Sequence, residues 1–249
     1  MTLSNLKDSF LHTSQVTCIV TSLYAFRSNT VQWHLIFFIY FASFFTYNIE
    51  RVYQKSPEDQ VNHPERESFL LKHQDLIRKL CITSLICCFA LSSFLTQRQW
   101  LILILASIPT LLYLSPKLFI AKKRLKEIFL AKELSIAFSW ALITAALPHP
   151  LFNALFFSSC FMLALINVIF CDDLDKKGDA KQQIKTIANT SQKVIPIVIR
   201  LCLLLSLTFF FLNMKGFSLA LLHLLIAKYI NPNHTQYDLA LIWPIIVPI

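Results

Sequence analysis

Three aspartates follow a long apolar run at a spacing that a helix would place on one face. Asp172, Asp175 and Asp179 stand at positions i, i+3 and i+7, which are neighbours on a helix surface. Carboxylates held this close repel one another unless a cation lies between them, and an all-oxygen set of ligands suits Mg²⁺. Lysines are interleaved with these acids: Lys176, Lys177, Lys181 and Lys185. The pattern predicts a Mg²⁺ site for an anionic, phosphate-bearing ligand.

A second polar segment carries a further set of groups that suit this chemistry. Glu50 stands at the end of an apolar run, where an ionisable group is costly and often functional. Asp59, Asn62 and Arg66 can approach one helical face, although Pro64 favours a turn there. The alternative interpretation is a solvated loop of mixed charge.

A third polar segment is strongly basic. Six cations fall within sixteen residues: Lys117, Lys122, Lys123, Arg124, Lys126 and Lys132. Such a cluster can clamp phosphates, and it can equally serve as a determinant of membrane topology. The sequence leaves both interpretations open.

The elements that must position these groups are membrane helices. The chain of 249 residues is 55% hydrophobic and only 15% charged, its mean hydropathy is +0.56, and it contains 22 Phe, a composition unlike that of a soluble domain. Apolar runs long enough to span a bilayer recur along it. We predict one all-α polytopic bundle over residues 1–249, with about nine spans at 10–27, 31–50, 77–96, 99–120, 130–148, 150–171, 194–213, 216–230 and 237–249.

The basic residues predict the orientation of this bundle. With the N-terminus inside, nineteen of the 23 Lys and Arg fall in cytoplasmic connections and three fall outside, namely Arg27, Arg98 and Lys215. Arg200 lies within a predicted span. This asymmetry follows the positive-inside rule and places the long polar segments on the cytoplasmic face. It also accounts for the net charge of +9, so nucleic acid is not an expected partner. The seven cysteines lie almost wholly in apolar runs and are expected to be packing residues.

The second Asp-rich motif resembles that of the UbiA superfamily of intramembrane prenyltransferases. That motif has the form Asp-x-x-Asp-x-x-x-Asp, followed six residues on by Lys-(Thr/Ser)-x-Ala. Asp172, Asp175, Asp179 and the segment Lys185–Ala188 fit it without a gap. The resemblance implies a bundle of nine helices around a cavity that opens to the cytoplasmic side and to lipid.

Two weaker motifs extend this resemblance over most of the chain. The first Asp-rich motif of the family ends in Asp-x-x-Asn-x-Pro-x-Arg, which Asp59, Asn62, Pro64 and Arg66 match. Its middle loop often reads Tyr-x-x-x-Lys followed by Leu-Lys-Glu. The corresponding residues here are Tyr113, Lys117 and Leu125–Glu127.

The resemblance also implies roles for individual residues. Asp172, Asp175 and Asp179 would be catalytic and would hold Mg²⁺, with Asp59 and Glu50 completing the metal site. The groups expected to bind the diphosphate of an isoprenoid substrate are Asn48, Asn62, Arg66, Lys117 and Lys185. The allylic cation would then alkylate an aromatic or other lipophilic acceptor, in a cavity that excludes water.

The first motif departs from the family pattern. It normally opens Asn-Asp-x-x-Asp-x-x-x-Asp, whereas Asn48 is followed by Ile49 and no Asp lies between Asn48 and Asp59. The enzyme interpretation therefore has two alternatives. The chain could be a degenerate relative that binds an isoprenoid or lipid without turnover, or a transporter whose acids bind a cation. Asp238 is interpreted as the N-cap or a first-turn acid of the last helix. Asn167 is interpreted as an interhelical hydrogen-bonding residue, with a position that could also reach the site.

Overall fold

The computed structural model describes residues 3–27, 32–53, 57–114, 128–181, 186–190 and 193–247. Within these ranges all regular structure is helical, as predicted. Lys117, Lys185 and the segment 122–126 lie outside the described residues. Glu50 and Asp59 belong to described helices, but their side chains lie outside the described part of the structure.

The helices have the following bounds in chain order: α1 Leu3–His12, α2 Gln15–Leu23, α3 Trp33–Tyr53, α4 Pro57–Asn62, α5 Pro64–Lys72, α6 Gln74–Ser92, α7 Gln97–Leu114, α8 Ala131–Ala141, α9 Ala154–Lys181, α10 Ile187–Thr190, α11 Val194–Phe211, α12 Lys215–Ile230, α13 His234–Ala240 and α14 Trp243–Ile246. A 3₁₀ turn at Tyr24–Arg27 follows α2, and a π-helical turn at Leu142–Ala146 extends α8.

Three of the described helices are both long enough and apolar enough to cross a membrane: α3, α9 and α11. The structure divides two of the predicted spans. The span predicted at 10–27 is broken where Ser14 adopts φ 56°, between α1 and α2. The span predicted at 237–249 consists of α13, a turn and α14. The total of about nine membrane-spanning helices stays a prediction.

The bundle is built around α9. Leu163, Ile166 and Phe170 on this helix are at most 1% exposed, and they belong to the largest apolar core, to which α8, α11, α12 and α13 also contribute. Large apolar side chains also cover the outside of the bundle, such as Phe89 and Phe211 at 82% and 83% exposure. An exterior of this kind suits contact with lipid rather than with water.

The C-terminal end of α9 meets three other segments, which together position the polar groups. The helix continues without a break through the Asp-rich motif to Lys181. The start of α8, the junction of α4 and α5 at His63, and the start of α13 all pack against it. A positive φ of 65° at Leu130 turns the chain into α8, so that Lys132 stands in its first turn.

Candidate functional site

A cavity of about 760 Å³ lies between α3, α7, α8, α9 and α13. Its polar lining includes Asn62, Arg66, Lys132, Asp172, Asp175 and Asp179. Its apolar lining includes Phe38, Trp100, Leu103, Ile104, Trp140 and Ile143. Lys132 in α8 and Ile143 in the π-helical turn that extends it are eleven residues apart, or roughly 16 Å of helix. The cavity therefore combines a charged region with a long apolar one.

Lys132 lies between two of the predicted carboxylates. Its Nζ is 2.7 Å from Asp172 Oδ1 and 3.5 Å from Asp179 Oδ2. The side chains are buried, with 13% of Lys132 and 4% of each aspartate exposed. Asp172 Oδ2 and Asp179 Oδ2 are both buried and accept no hydrogen bond from the described residues. Two carboxylates thus share one ammonium. Asp172 Oδ2 faces no described donor, whereas Asp179 Oδ2 is the oxygen that faces Lys132, at a distance without a hydrogen bond.

Asp175 is held by two imidazoles rather than by a lysine. His63 Nε2 lies 2.9 Å and His234 Nε2 lies 3.2 Å from the same oxygen, Asp175 Oδ1. The two rings are close together, with centroids 4.9 Å apart. The three predicted aspartates therefore lie on one side of α9, as the spacing predicts, but they have different partners.

Asn62 fixes the α4–α5 junction directly onto α9. Its Nδ2 donates to the Asp175 carbonyl at 2.8 Å, and its Oδ1 accepts from the Gly178 N–H at 2.8 Å. A Cβ at Gly178 would lie 2.5–2.7 Å from the Asn62 amide group, so this contact needs glycine. The amide of Asn62 is therefore engaged in positioning α4 and α5, beside the predicted diphosphate site.

The other predicted ligands differ in their placement. Arg66 lines the cavity. Asn48 is fully buried, and its Nδ2 donates to the Thr13 and Phe44 carbonyls at 3.1 and 2.9 Å, which ties α3 to the α1–α2 junction. Asn167 forms the interhelical bond predicted for it, from its Nδ2 to the Tyr237 carbonyl at 2.9 Å.

Three residues at this site are not among the predicted site residues. Lys132 was only one of six cations in a basic segment, and neither His63 nor His234 has a spacing that indicates a partner. Asp238 does not cap its helix, because Asn233 accepts from the Gln236 N–H at 2.9 Å in that role. Asp238 instead lines the cavity and accepts a hydrogen bond of 2.5 Å from Thr17.

A second group of basic residues lies at the other end of α9. Arg27 lies over the Phe156 ring at 5.6 Å, and the His149 ring contacts Phe156 with centroids 5.3 Å apart. Burial, with the nearby charges of Arg27 and Arg98, lowers the pKa of His149. Phe156 and Asp172 are sixteen residues apart, or roughly 24 Å along the helix. The residues predicted to lie outside are thus remote from the acids, and the orientation itself stays a prediction.

Comparison with known proteins supports the fold. No protein-family model and no curated protein matches the chain. A solved structure from a study of digeranylgeranylglyceryl phosphate synthase in membranes is similar over 98% of this chain and 95% of that chain, with a TM-score of 0.53 and 16% identity. This likeness confirms the predicted all-α helix-bundle fold, which resembles that of the solved structure. Together with the apolar helices, it supports an integral membrane protein.

Proposed function

We propose that this chain is an integral membrane prenyltransferase, with the N-terminus and the acidic end of the cavity on the cytoplasmic side. It would transfer an isoprenoid chain from an allylic diphosphate to an aromatic or other lipophilic acceptor. The observation that carries the proposal is the cavity of about 760 Å³, which joins a cluster of buried acids and cations to a long apolar wall. An isoprenoid diphosphate has the same division into a charged head and an apolar chain.

The chain's own residues account for binding and for protection of a reactive intermediate. Arg66 lines the polar part of the cavity, where a guanidinium can bind a diphosphate, and Lys132 lies there between Asp172 and Asp179. Trp140 and Ile143 belong to the apolar wall, which keeps water away from an allylic cation. The face of an aromatic ring such as Trp140 also favours a nearby positive charge.

The acidic residues fit Mg²⁺. Asp172 and Asp179 share the single ammonium of Lys132, which leaves one negative charge, and each keeps one buried oxygen without a hydrogen bond. Oxygen ligands of this kind suit Mg²⁺, so these two residues would hold it. When bound, the ion would neutralise charge that develops on the departing diphosphate. Asp59, Glu50, Lys117 and Lys185 remain proposed contributors from the sequence motifs.

Diphosphate release in nanodiscs tests the proposal. The purified protein would receive farnesyl or geranylgeranyl diphosphate, Mg²⁺ and a lipid extract as the source of acceptors. We expect Mg²⁺-dependent release with a prenylated product, reduced about 100-fold in Asp179→Asn. Asp173→Asn is the matched control, because Asp173 lies on the same helix and pairs with Lys176 and Lys228. Absence of binding to either diphosphate would refute the proposal.

A variant of the apolar wall tests the orientation of the substrate. Ile143→Trp adds bulk roughly 16 Å along α8 from Lys132, where only the end of a long chain would reach. We expect this variant to weaken binding of the longer diphosphate more than that of the shorter one. Equal effects on both would place the chain elsewhere in the protein.

A second candidate function is binding without turnover. It is favoured by the basic side chains that already accompany the acids: Lys132 pairs with Asp172 and Asp179, and His63 and His234 contact Asp175. Tight binding of the isoprenoid diphosphate with no release of diphosphate, over many equivalents of acceptor, would support this function over the enzyme.

A further inference from the structure

We propose that His63, Asp175 and His234 form a binding site for a divalent transition metal ion, separate from the Asp172–Lys132–Asp179 group. One nitrogen or oxygen ligand atom from each of these residues lies within 4.8 Å of the other two. His63 Nε2 and His234 Nε2 lie 2.9 and 3.2 Å from Asp175 Oδ1. Ligands that bind one ion at about 2.0–2.2 Å are themselves about 2.9–3.5 Å apart, so a small shift would accommodate an ion.

The fold holds the three ligands in place from three separate segments. Asp175 lies on α9, His63 joins α4 to α5, and His234 is the first residue of α13. Asn62, the neighbour of His63, forms hydrogen bonds to the backbone of α9 through both its Nδ2 and its Oδ1. Asn233, the neighbour of His234, caps α13. Each histidine therefore follows a residue that fixes the local backbone, and this preorganisation favours binding of an ion.

The donor set indicates which ions would bind. Two imidazole nitrogens and one carboxylate oxygen suit Zn²⁺, Fe²⁺, Co²⁺ or Mn²⁺, whereas Mg²⁺ prefers oxygen ligands alone. Asp175 and His234 line the cavity, so the open coordination positions face its interior. An anionic or oxygen-bearing ligand in the cavity can therefore reach the ion. The ion would also link α9, α13 and the α4–α5 junction.

The competing explanation is that the two imidazoles only donate hydrogen bonds to Asp175. In that case both rings carry a proton on Nε2, and a metal would have to displace these two protons before it could bind there. Absorption spectroscopy with Co²⁺ separates the two explanations. Co²⁺ bound by nitrogen ligands in a site of low symmetry absorbs visible light much more strongly than the hydrated ion does. The protein should carry an affinity tag without histidines, and Mg²⁺ should be present in excess.

We expect wild-type protein in detergent to bind one equivalent of Co²⁺ with such a spectrum, in the absence of any isoprenoid. His63→Gln and His234→Gln should each weaken this binding at least tenfold, which is the lower range for the loss of a group that supports a metal site. His34→Gln is the matched control, because His34 lies in the first turn of α3 against Phe94 and not at the cluster. It should bind Co²⁺ like the wild type.

A cysteine variant covers the case in which the glutamine variants fold poorly. His234→Cys restores a soft ligand at the same position, so it should keep Co²⁺ binding and add a thiolate charge-transfer band. Wild-type protein without the Co²⁺ bands, or glutamine variants that bind like the wild type, would overturn the inference. Failure of the transferase proposal can be told apart from failure of this inference. In the first case the protein would neither bind nor release diphosphate but would still bind Co²⁺.

Discussion

Replacement of Lys132 by methionine should destabilise the protein and make its stability depend on Mg²⁺. Methionine keeps most of the volume of the side chain and removes its charge. The ammonium lies 2.7 Å from Asp172 and 3.5 Å from Asp179, so two buried carboxylates would lose their shared partner. At an effective dielectric constant of about 20, those contacts correspond to roughly 6 and 5 kcal/mol of Coulomb energy.

The measured loss should be smaller than this sum. The ammonium no longer has to be desolvated, and the experimental range for breaking a buried pair is about 3–5 kcal/mol. If Asp172 and Asp179 can hold Mg²⁺, the ion should replace the missing charge. A concentration near 100 times its dissociation constant would return about 2.7 kcal/mol. Unfolding in mixed micelles, followed by tryptophan fluorescence with and without Mg²⁺, measures both effects.

Lys228→Met is the matched control for this experiment. Lys228 pairs with Asp173, and the two side chains are 12% and 16% exposed, which is comparable burial. Asp173 keeps its second partner there, Lys176 at 3.2 Å, so no pair of carboxylates loses a shared cation and Mg²⁺ should not restore stability. Equal rescue of both variants would refute the assignment of Asp172 and Asp179 as the magnesium ligands. A loss below about 1 kcal/mol in Lys132→Met would refute the energetic argument itself.

Three further changes test the surroundings of the site and the far end of α9. Gly178→Ala should displace the Asn62 amide and lower stability by about 1–2 kcal/mol, despite the higher helix propensity of alanine; chemical unfolding measures it. Asn167→Ala leaves the Tyr237 carbonyl without this donor and should lower stability by about 1–3 kcal/mol in the same assay. The pKa of His149 is lowered in the folded state, so as the pH falls this histidine is protonated in the unfolded chain before it is protonated in the folded one. Stability should therefore fall as the pH drops below about 6.5, and His149→Gln should remove that part of the pH profile, as thermal unfolding across this range would show.

The acidic face could be predicted because it depends only on local periodicity. Asp172, Asp175 and Asp179 belong to one unbroken helix, so their i, i+3, i+7 spacing fixes their relative positions. Their partners could not be predicted, because Lys132, His63 and His234 come from distant segments and pair with the acids only through tertiary packing. Nothing in the spacing indicates which of the 23 Lys and Arg would reach the motif.

The divided first span shows a different limit. Hydropathy averages over a window of residues, and neither glycine nor proline marks the break between α1 and α2. A single left-handed residue, Ser14 at φ 56°, redirects the chain there. Asn48 and Arg51 both contact this junction, Asn48 through the Thr13 carbonyl and Arg51 through Ser14 Oγ at 2.9 Å. The polar residues Asn48 and Arg51 at the end of α3 thus bind the α1–α2 junction, a role that a motif comparison does not reveal.

The charges at the acidic end of the cavity make binding of an anion depend on a cation. Lys132 is paired with two carboxylates, so its field is more than neutralised before any ligand arrives. The described lining of the cavity sets four aspartates (Asp172, Asp175, Asp179 and Asp238) against Arg51, Arg66 and Lys132, so a diphosphate would meet net negative charge from these residues. A divalent ion held by Asp172 and Asp179 would add two positive charges and reverse the sign of that field. Affinity for an isoprenoid diphosphate should consequently rise steeply with Mg²⁺, whereas affinity for an uncharged isoprenoid alcohol of the same length should not.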